Sequence, residues 1–177
     1  MSARILRFGC GAGLIVGAAL YLTTVLAGGH SPSGSVGMLI GYATMLVALS
    51  LVFVAIKRER DLARGGAIGF WPALLIGLGI SMIAGFFYVA AWEAALATTG
   101  MDFGATYAQG AIEAAKARGA TAEEIAKLTA DMAKFAADYR NPLIRAPMTF
   151  VEIFPVGVLV SLVSAGLLRN PKFLPAR

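Results

Sequence analysis

The sequence is poor in charge, and this scarcity decides the class of protein. Charged residues make up 14% of the 177 positions and hydrophobic residues 58%, and the mean hydropathy is +0.75. Soluble domains average about 25% charged and about 45–50% apolar residues. The composition therefore predicts an integral membrane protein. Its length leaves room for one membrane domain, residues 1–177, with four spans of about 20 residues each.

Cysteine and histidine are each present once. A single cysteine, Cys10, excludes an internal disulfide, and we interpret it as a buried thiol. The single histidine, His30, has no second histidine and no nearby acid with which to build a coordination sphere, so we predict no metal and no cofactor. The net charge of +5 is spread over the ends of apolar runs, and this distribution argues against nucleic acid as a partner.

Four apolar runs are long enough to cross a bilayer, which makes the lipid bilayer the first expected partner. They cover residues 8–27, 36–56, 70–96 and 147–168. The predicted fold is an all-α membrane protein with four transmembrane helices in a bundle. A cleaved signal peptide is the alternative for the first run, but 20 residues exceed the usual apolar core of about 7–15.

Small residues recur at intervals of four along all four of these runs. Such spacing removes side chains from one helix face and lets a second backbone approach closely. We expect these faces to form helix contacts within the chain, and a homo-oligomer or another membrane-protein partner is the alternative use. The predicted packing positions are Gly13, Gly17, Gly77, Ser81, Gly85, Gly157 and Ser161.

Residues 98–145 form an extended polar region between the third and fourth runs. Thr121 and Glu124 make a capping box, and an apolar stripe then follows at steps of three and four, through Ile125, Leu128, Met132, Phe135 and Tyr139. An alanine-rich segment, residues 103–117, precedes it. The pattern predicts an extracytoplasmic helical hairpin whose stripe packs over the outer end of the bundle, and lying on lipid is the alternative.

Basic residues predict the orientation. One side of the bundle holds nine bases (two before the first span, four in residues 57–66, three after residue 168) and two acids; the other holds six of each. The positive-inside rule therefore puts both termini in the cytoplasm. Residues 57–66 are expected to be a solvated cytoplasmic loop. A lipid-headgroup site there is the alternative, although two acids offset its four bases.

Trp71 and Trp92 lie 21 residues apart in the third span. That spacing corresponds to about 31 Å along a helix, which matches the thickness of the hydrocarbon layer. The pair therefore predicts aromatic belts at both membrane interfaces.

Two acids, Glu93 and Glu152, lie inside the predicted spans, near the outer interface. Surface acids that reach the headgroups would explain them. A charge at that depth is costly, however, and usually faces protein or water. We therefore also predict a polar pocket beneath the hairpin that contains both acids, three tyrosines and an arginine counter-charge: Glu93, Glu152, Tyr21, Tyr42, Tyr88 and Arg145 or Arg140.

The chain resembles the bacterial four-span membrane proteins grouped as domain of unknown function 4199. The resemblance lies in GMLIGYATMLVALSLVFVAIKRERD, GGAIGFWPALLIGLGI and YRNPLIRAPMTFVEIFPVGVLVSLVSAGLLRNPK. Its most specific parts are the Tyr139-x-Asn141-Pro142 turn and the T-F-x-E-x-x-P-x-G segment that contains Glu152. The resemblance implies a bacterial inner-membrane location and a bundle with a helical extracytoplasmic insert, and it implies no activity.

Three classes of function are open to such a chain. An accessory, structural or interaction protein is favoured. A small carrier or proton-linked protein using Glu93 and Glu152 is the alternative, disfavoured because both acids lie near one face and no midplane site is apparent. An intramembrane enzyme would need a catalytic constellation, and H-E-x-x-H, G-x-S-x-G and P-loop motifs are missing from the sequence, so we predict that the protein is not an enzyme.

The predicted orientation can be tested by cysteine labelling in a variant that lacks Cys10. A cysteine at Ala120 should react with an impermeant reagent in intact cells, because the hairpin is predicted to lie outside. A cysteine at Ala63 should react only after the cells are opened. The reverse pattern would invert the orientation.

Overall fold

The computed structural model describes residues 2–27 and 35–175, so His30 lies outside the described residues. Within these ranges the chain forms six α-helices and no strand. Four of the helices are long and apolar enough to cross a membrane, as the sequence predicts. In chain order the helices are α1 (Ser2–Leu26), α2 (Ser35–Ala63), α3 (Phe70–Thr99), α4 (Phe103–Ala117), α5 (Ala122–Tyr139) and α6 (Pro142–Leu168).

Helix α3 is the centre of the packing, because it lies along both α1 and α6. Helix α2 packs against α6, α1 and α3. Fully buried side chains such as Val16, Leu49, Ile80 and Ile153 fill the space between the four long helices. Their other faces expose large apolar side chains, among them Leu14, Leu39, Phe86 and Val163. An apolar surface of this kind is suited to lipid.

The contact between α3 and α6 depends on paired small residues. A Cβ atom added at Gly77 would lie 2.6 Å from Ser161 Oγ, and one added at Gly157 would lie 2.5 Å from Ser81 Cβ. Each serine therefore occupies the space opposite a glycine of the other helix. The two hydroxyl oxygens are 3.4 Å apart, and each hydroxyl donates a hydrogen bond to the carbonyl four residues earlier in its own helix.

Glycines also bring α3 close to α1. A Cβ atom at Gly13 would lie 2.6 Å from Phe87 Cγ, and one at Gly17 would lie 3.2 Å from the Ala91 Cβ. Gly85 of α3 likewise lies under the ring of Phe150 in α6. All seven small residues predicted at helix contacts thus lie against neighbouring helices of the same chain.

The charged segment after the second apolar run is not a loop over most of its length. Helix α2 continues to Ala63, so the prediction of a loop is wrong for residues 57–63. Arg60 lies in this part of α2, and its side chain is fully buried. Its guanidinium donates hydrogen bonds to Asp61 Oδ1 at 2.6 Å, to the carbonyl of Phe173 at 2.8 Å and to the carbonyl of Leu174. The segment that follows α6 therefore folds back onto the end of α2.

Helix α6 begins at Pro142, earlier than the predicted span at residue 147. The Asn141 side chain caps it by accepting a hydrogen bond from Leu143 N at 3.0 Å. Proline suits the first helical position because its fixed φ is compatible with the helix and its missing N–H would have no partner there. Arg145, which the sequence assigned to the insert, consequently lies in the first turns of α6.

Helices α4 and α5 pack against each other. The predicted capping box is present, with Thr121 and Glu124 each accepting a hydrogen bond from the other's backbone N–H. A Cβ atom at Gly104 of α4 would lie 3.1 Å from Ala136 Cα of α5, so the two backbones approach closely. Within the α5 stripe, Phe135 packs on α4, with its ring 5.5 Å from that of Tyr107. Coverage of the outer end of the bundle by the stripe stays a prediction.

The close contact of α3 with α6 makes a prediction about Gly157. Gly157→Ala should lower the free energy of unfolding in mixed micelles by about 1–3 kcal/mol, because its methyl group would overlap Ser81 Cβ. The matched control is Gly166→Ala in the same helix, where nothing lies within 4 Å. That change should be neutral or stabilising by up to about 1 kcal/mol, the difference in helix propensity. Equal costs at both positions would contradict the contact.

Candidate functional site

An ion pair joins α3 to α6 at the end where α4 and α5 are attached. Arg145 Nε donates to Glu93 Oε1 at 2.7 Å, and Arg145 Nη2 donates to Glu93 Oε2. The two side chains are 14% and 31% exposed, respectively, so the pair is only partly hydrated. A bidentate arginine–carboxylate pair is among the stronger charge-assisted contacts. Glu93, an acid predicted to lie at membrane depth, thus has its counter-charge in the neighbouring helix.

Aromatic rings surround this ion pair. The Trp92 Nε1–H group donates a hydrogen bond to the Tyr139 hydroxyl at 2.9 Å, and the ring of Phe103 packs edge-on against Trp92 with centroids 5.1 Å apart. Arg145 also donates to the Tyr139 carbonyl at 3.3 Å. Only 7% of Trp92 is exposed, so it faces protein, and the aromatic belt predicted for this residue is wrong. The other tryptophan, Trp71, is 70% exposed.

Tyr139 is the buried centre of this cluster. Burial raises the pKa of its hydroxyl above the ordinary value of a tyrosine, and the hydrogen bonds from Trp92 and with Thr149 oppose this rise. The hydroxyl is therefore neutral at physiological pH. A neutral phenol can accept from Trp92 and still donate to a second group, which makes it suited to joining α3, α5 and α6.

A second ion pair holds the start of α4 to the end of α5. Arg140 Nη2 donates to Asp102 Oδ2 at 2.7 Å. Asp102 also caps α4 by accepting from Ala105 N at 3.0 Å. This backbone hydrogen bond, followed by the one from Arg140, lowers the pKa of the Asp102 carboxyl, which is therefore ionised at neutral pH. Both side chains are well exposed, so solvent screens the pair.

The two ion pairs line an open cleft of about 400 Å³. Charged side chains form the polar part of the cleft wall. Apolar side chains and backbone form the remainder of the wall. The chemistry available in the cleft is hydrogen bonding and charge, with both guanidinium groups already held by carboxylates. The lining residues are Glu93, Leu96, Ala97, Gly100, Met101, Asp102, Phe103, Gly104, Tyr139, Arg140 and Arg145.

Glu152 lies outside this cleft. It is exposed on the surface of α6, and its carboxylate interacts with the hydroxyl of Tyr88, a residue of α3 that is 5% exposed. Pro155 has no backbone N–H, so the carbonyl of Val151 lacks its usual helical donor. Val151 as a residue is 65% exposed. A carboxylate and a carbonyl without its helical donor therefore share one exposed stretch of α6.

The remaining tyrosines of the predicted pocket are Tyr21 and Tyr42, and Tyr42 lies within electrostatic range of Tyr88. Tyr21 of α1 makes a 3.2 Å hydrogen bond with the Thr98 hydroxyl of α3. Tyr42 of α2 is 44% exposed. The structure thus brings Glu93 to Arg145 and Glu152 to Tyr88. Arg140 meets Asp102 and neither of the two predicted acids.

Several residues of the site did not emerge from the sequence as site residues, namely Trp92, Asp102, Phe103 and Tyr139. A signal existed for Asp102, because aspartate immediately before an alanine-rich helical segment is a typical N-cap. The burial of Trp92 and Tyr139 depends on which helices meet, and no local pattern indicates it. Among the residues described, no group of three or more histidine, cysteine, aspartate or glutamate side chains is arranged to hold a metal ion.

Comparison with protein families matches residues 7–170 to the family described as "Protein of unknown function (DUF4199)". This match confirms the resemblance found in the sequence. A search of curated proteins and a search of solved structures each found no match.

The pairing of Glu93 with Arg145 predicts energetic coupling between them. Glu93→Gln alone should lower the free energy of unfolding by about 1–3 kcal/mol, because it leaves a largely buried guanidinium without its counter-charge. The double variant with Arg145→Gln should cost less than the sum of the two single changes. Unfolding in mixed micelles measures this coupling. The more exposed pair of Asp102 and Arg140 serves as a control, with expected coupling below about 1 kcal/mol. Strict additivity at Glu93 and Arg145 would exclude the pair.

Proposed function

The chain belongs to the DUF4199 family of proteins of unknown function, and we propose that it is an accessory, structural or interaction protein of the bacterial inner membrane. Four long apolar helices support a multi-pass membrane protein. The excess of bases at the ends of α1, α2 and α6 supports cytoplasmic termini. In this arrangement α4 and α5 form the extracytoplasmic hairpin between the third and fourth spans.

The observation that carries the proposal is Glu152, an exposed residue in the middle of α6 whose carboxylate bonds to the hydroxyl of Tyr88. Its surroundings on α6 include the exposed apolar side chains of Met148 and Val151. A carboxylate that faces hydrocarbon is costly, and ionisable residues in spans usually face protein or water. Tyr88 supplies one hydroxyl donor, whereas an ionised carboxylate has about four acceptor sites. We infer that this face of α6 is covered by another membrane protein or by a second copy that contributes hydrogen-bond donors.

Ion pairs support a structural use of other charges near the helix ends. Glu93 and Arg145 join α3 to α6, and Arg4 and Glu59 join α1 to α2. Both pairs connect different helices near their ends. These groups therefore act as fixed contacts in the proposed scaffold, whereas Glu152 is an acid of a candidate span with acceptor capacity left for an external partner.

A small carrier or proton-linked protein that uses Glu93 and Glu152 is the second candidate. The position of Glu152 in a candidate span favours it, because ionisable residues inside spans often mark proton or ion pathways. The ion pair of Glu93 with Arg145 argues for the structural proposal, because it commits this carboxylate to a contact between α3 and α6. We propose no enzymatic activity.

Affinity purification from gently solubilised native membranes tests the proposal. The wild-type protein should carry a stoichiometric partner or elute as an oligomer. Glu152→Gln should weaken this association at least about tenfold, as expected when a buried charged contact at an interface is truncated. Glu123→Gln is the matched control, because Glu123 is an exposed acid of α5 and has the same change in charge.

The size of the purified complex separates the two candidates. A wild-type protein that elutes as a lone monomer would contradict the interaction proposal. Equal association of the two variants would contradict the role of Glu152. Proton flux in reconstituted vesicles that disappears in Glu152→Gln, with no partner present, would support the carrier.

A further inference from the structure

The end of the molecule formed by the start of α1, the end of α2 and the segment after α6 contains two acids, and both point inward. The side chain of Glu59 is 7% exposed and that of Asp61 is 13% exposed. Glu59 accepts from Arg4 Nη1 at 2.5 Å and from Arg64 Nε at 3.3 Å. Asp61 accepts from Arg60 Nε and from Lys57. The negative charge of this end is therefore neutralised inside the protein.

Other bases of the same end point outward. We call the set of Arg7, Arg58, Arg169 and Lys172 the basic surface, and all four are exposed. They come from α1, from α2 and from the segment after α6. Arg58 is positioned by the ring of Phe8, with its guanidinium carbon 5.8 Å from the ring centroid. This contact fixes a cation of α2 beside α1.

Exposed leucines accompany the basic surface on the same helices. Leu6 is 57% exposed, Leu62 is 76% exposed and Leu167 is 41% exposed. Each lies within four residues of a base of the basic surface. Of the three, Leu167 precedes Arg169 and therefore lies toward the apolar part of α6, where it can contact acyl chains beneath a cation that meets the phosphates. Arginine and lysine readily bridge these layers, because their stems are apolar and their ends are charged.

We propose that the basic surface binds the headgroups of anionic phospholipids. The inference rests on the proposed membrane location and adds a ligand to it. Glu59 and Asp61, the two acids near these bases in the sequence, do not oppose this binding, because each forms an ion pair within the protein. Complementary charge at the height of the phosphates therefore selects anionic over zwitterionic lipid.

Thermal unfolding of the full chain in a neutral detergent tests this proposal. Added phosphatidylglycerol should raise the Tm, and phosphatidylcholine should have much less effect. The gain should shrink as salt is raised from 0.1 M to 1 M, because the Debye length falls from about 10 Å to about 3 Å. The apparent affinity for phosphatidylglycerol should fall about fivefold for each base removed.

The decisive variant combines Arg58→Gln, Arg169→Gln and Lys172→Gln. Its matched control combines Lys116→Gln, Lys127→Gln and Lys134→Gln, which remove three exposed cations of α4 and α5. The control should keep the response to phosphatidylglycerol and the first variant should lose most of it. If the triple variant does not fold, the double variant Arg169→Gln, Lys172→Gln replaces it. This variant removes only the two bases that follow α6, and it is compared with the same control.

Three results would overturn the proposal. These are an equal gain from phosphatidylcholine, an equal loss in the control variant, and a gain from inorganic phosphate that matches the gain from lipid. The lipid titration uses purified protein alone, so its outcome is independent of whether a protein partner covers Glu152.

Discussion

The compensation of charge at the ends of apolar helices is the constraint on which this structure depends. An ionised side chain near hydrocarbon is tolerated only where protein or water satisfies it. Glu93 obtains Arg145 from the last helix, and Glu59 obtains Arg4 from the first. The first pair joins α3 to α6 near the C-terminal end of α3, and the second joins α1 to α2 near the C-terminal end of α2. Between them, the interlocked small residues of α3 and α6 set how closely the helix axes approach.

Much of the fold follows from patterns that are local in the sequence. Hydropathy predicts the four long helices, because crossing a bilayer demands a minimum apolar length. The spacing of four residues between Gly77 and Ser81 predicts a face for helix contact, although it does not indicate which helix packs there. The capping box at Thr121 predicts where α5 begins. Each of these features is decided by residues a few positions apart, so a single sequence is sufficient to recognise it.

The candidate site could not be predicted to the same extent, because it depends on which helices become neighbours. The sequence offers Arg145 as a counter-charge for either acid, and only the packing of α3 against α6 assigns it to Glu93. Trp92 has the spacing of an interfacial residue, yet the arrival of Tyr139 from α5 buries it. Arg60 lies in a strongly charged segment typical of a solvated loop, and the returning chain after α6 encloses it.

The enclosure of Arg60 has a consequence for how the protein is made. Its partner carbonyl in Phe173 lies 113 residues further along the chain. Chains emerge from the ribosome starting at the N-terminus, so α2 is complete well before the segment that satisfies this arginine exists. Until that segment exists, the guanidinium lacks the two backbone carbonyls that accept its hydrogen bonds in the folded protein. Assembly of this end of the bundle is accordingly a late event, and a nascent chain that stalls before residue 173 leaves the end of α2 without the segment that encloses Arg60.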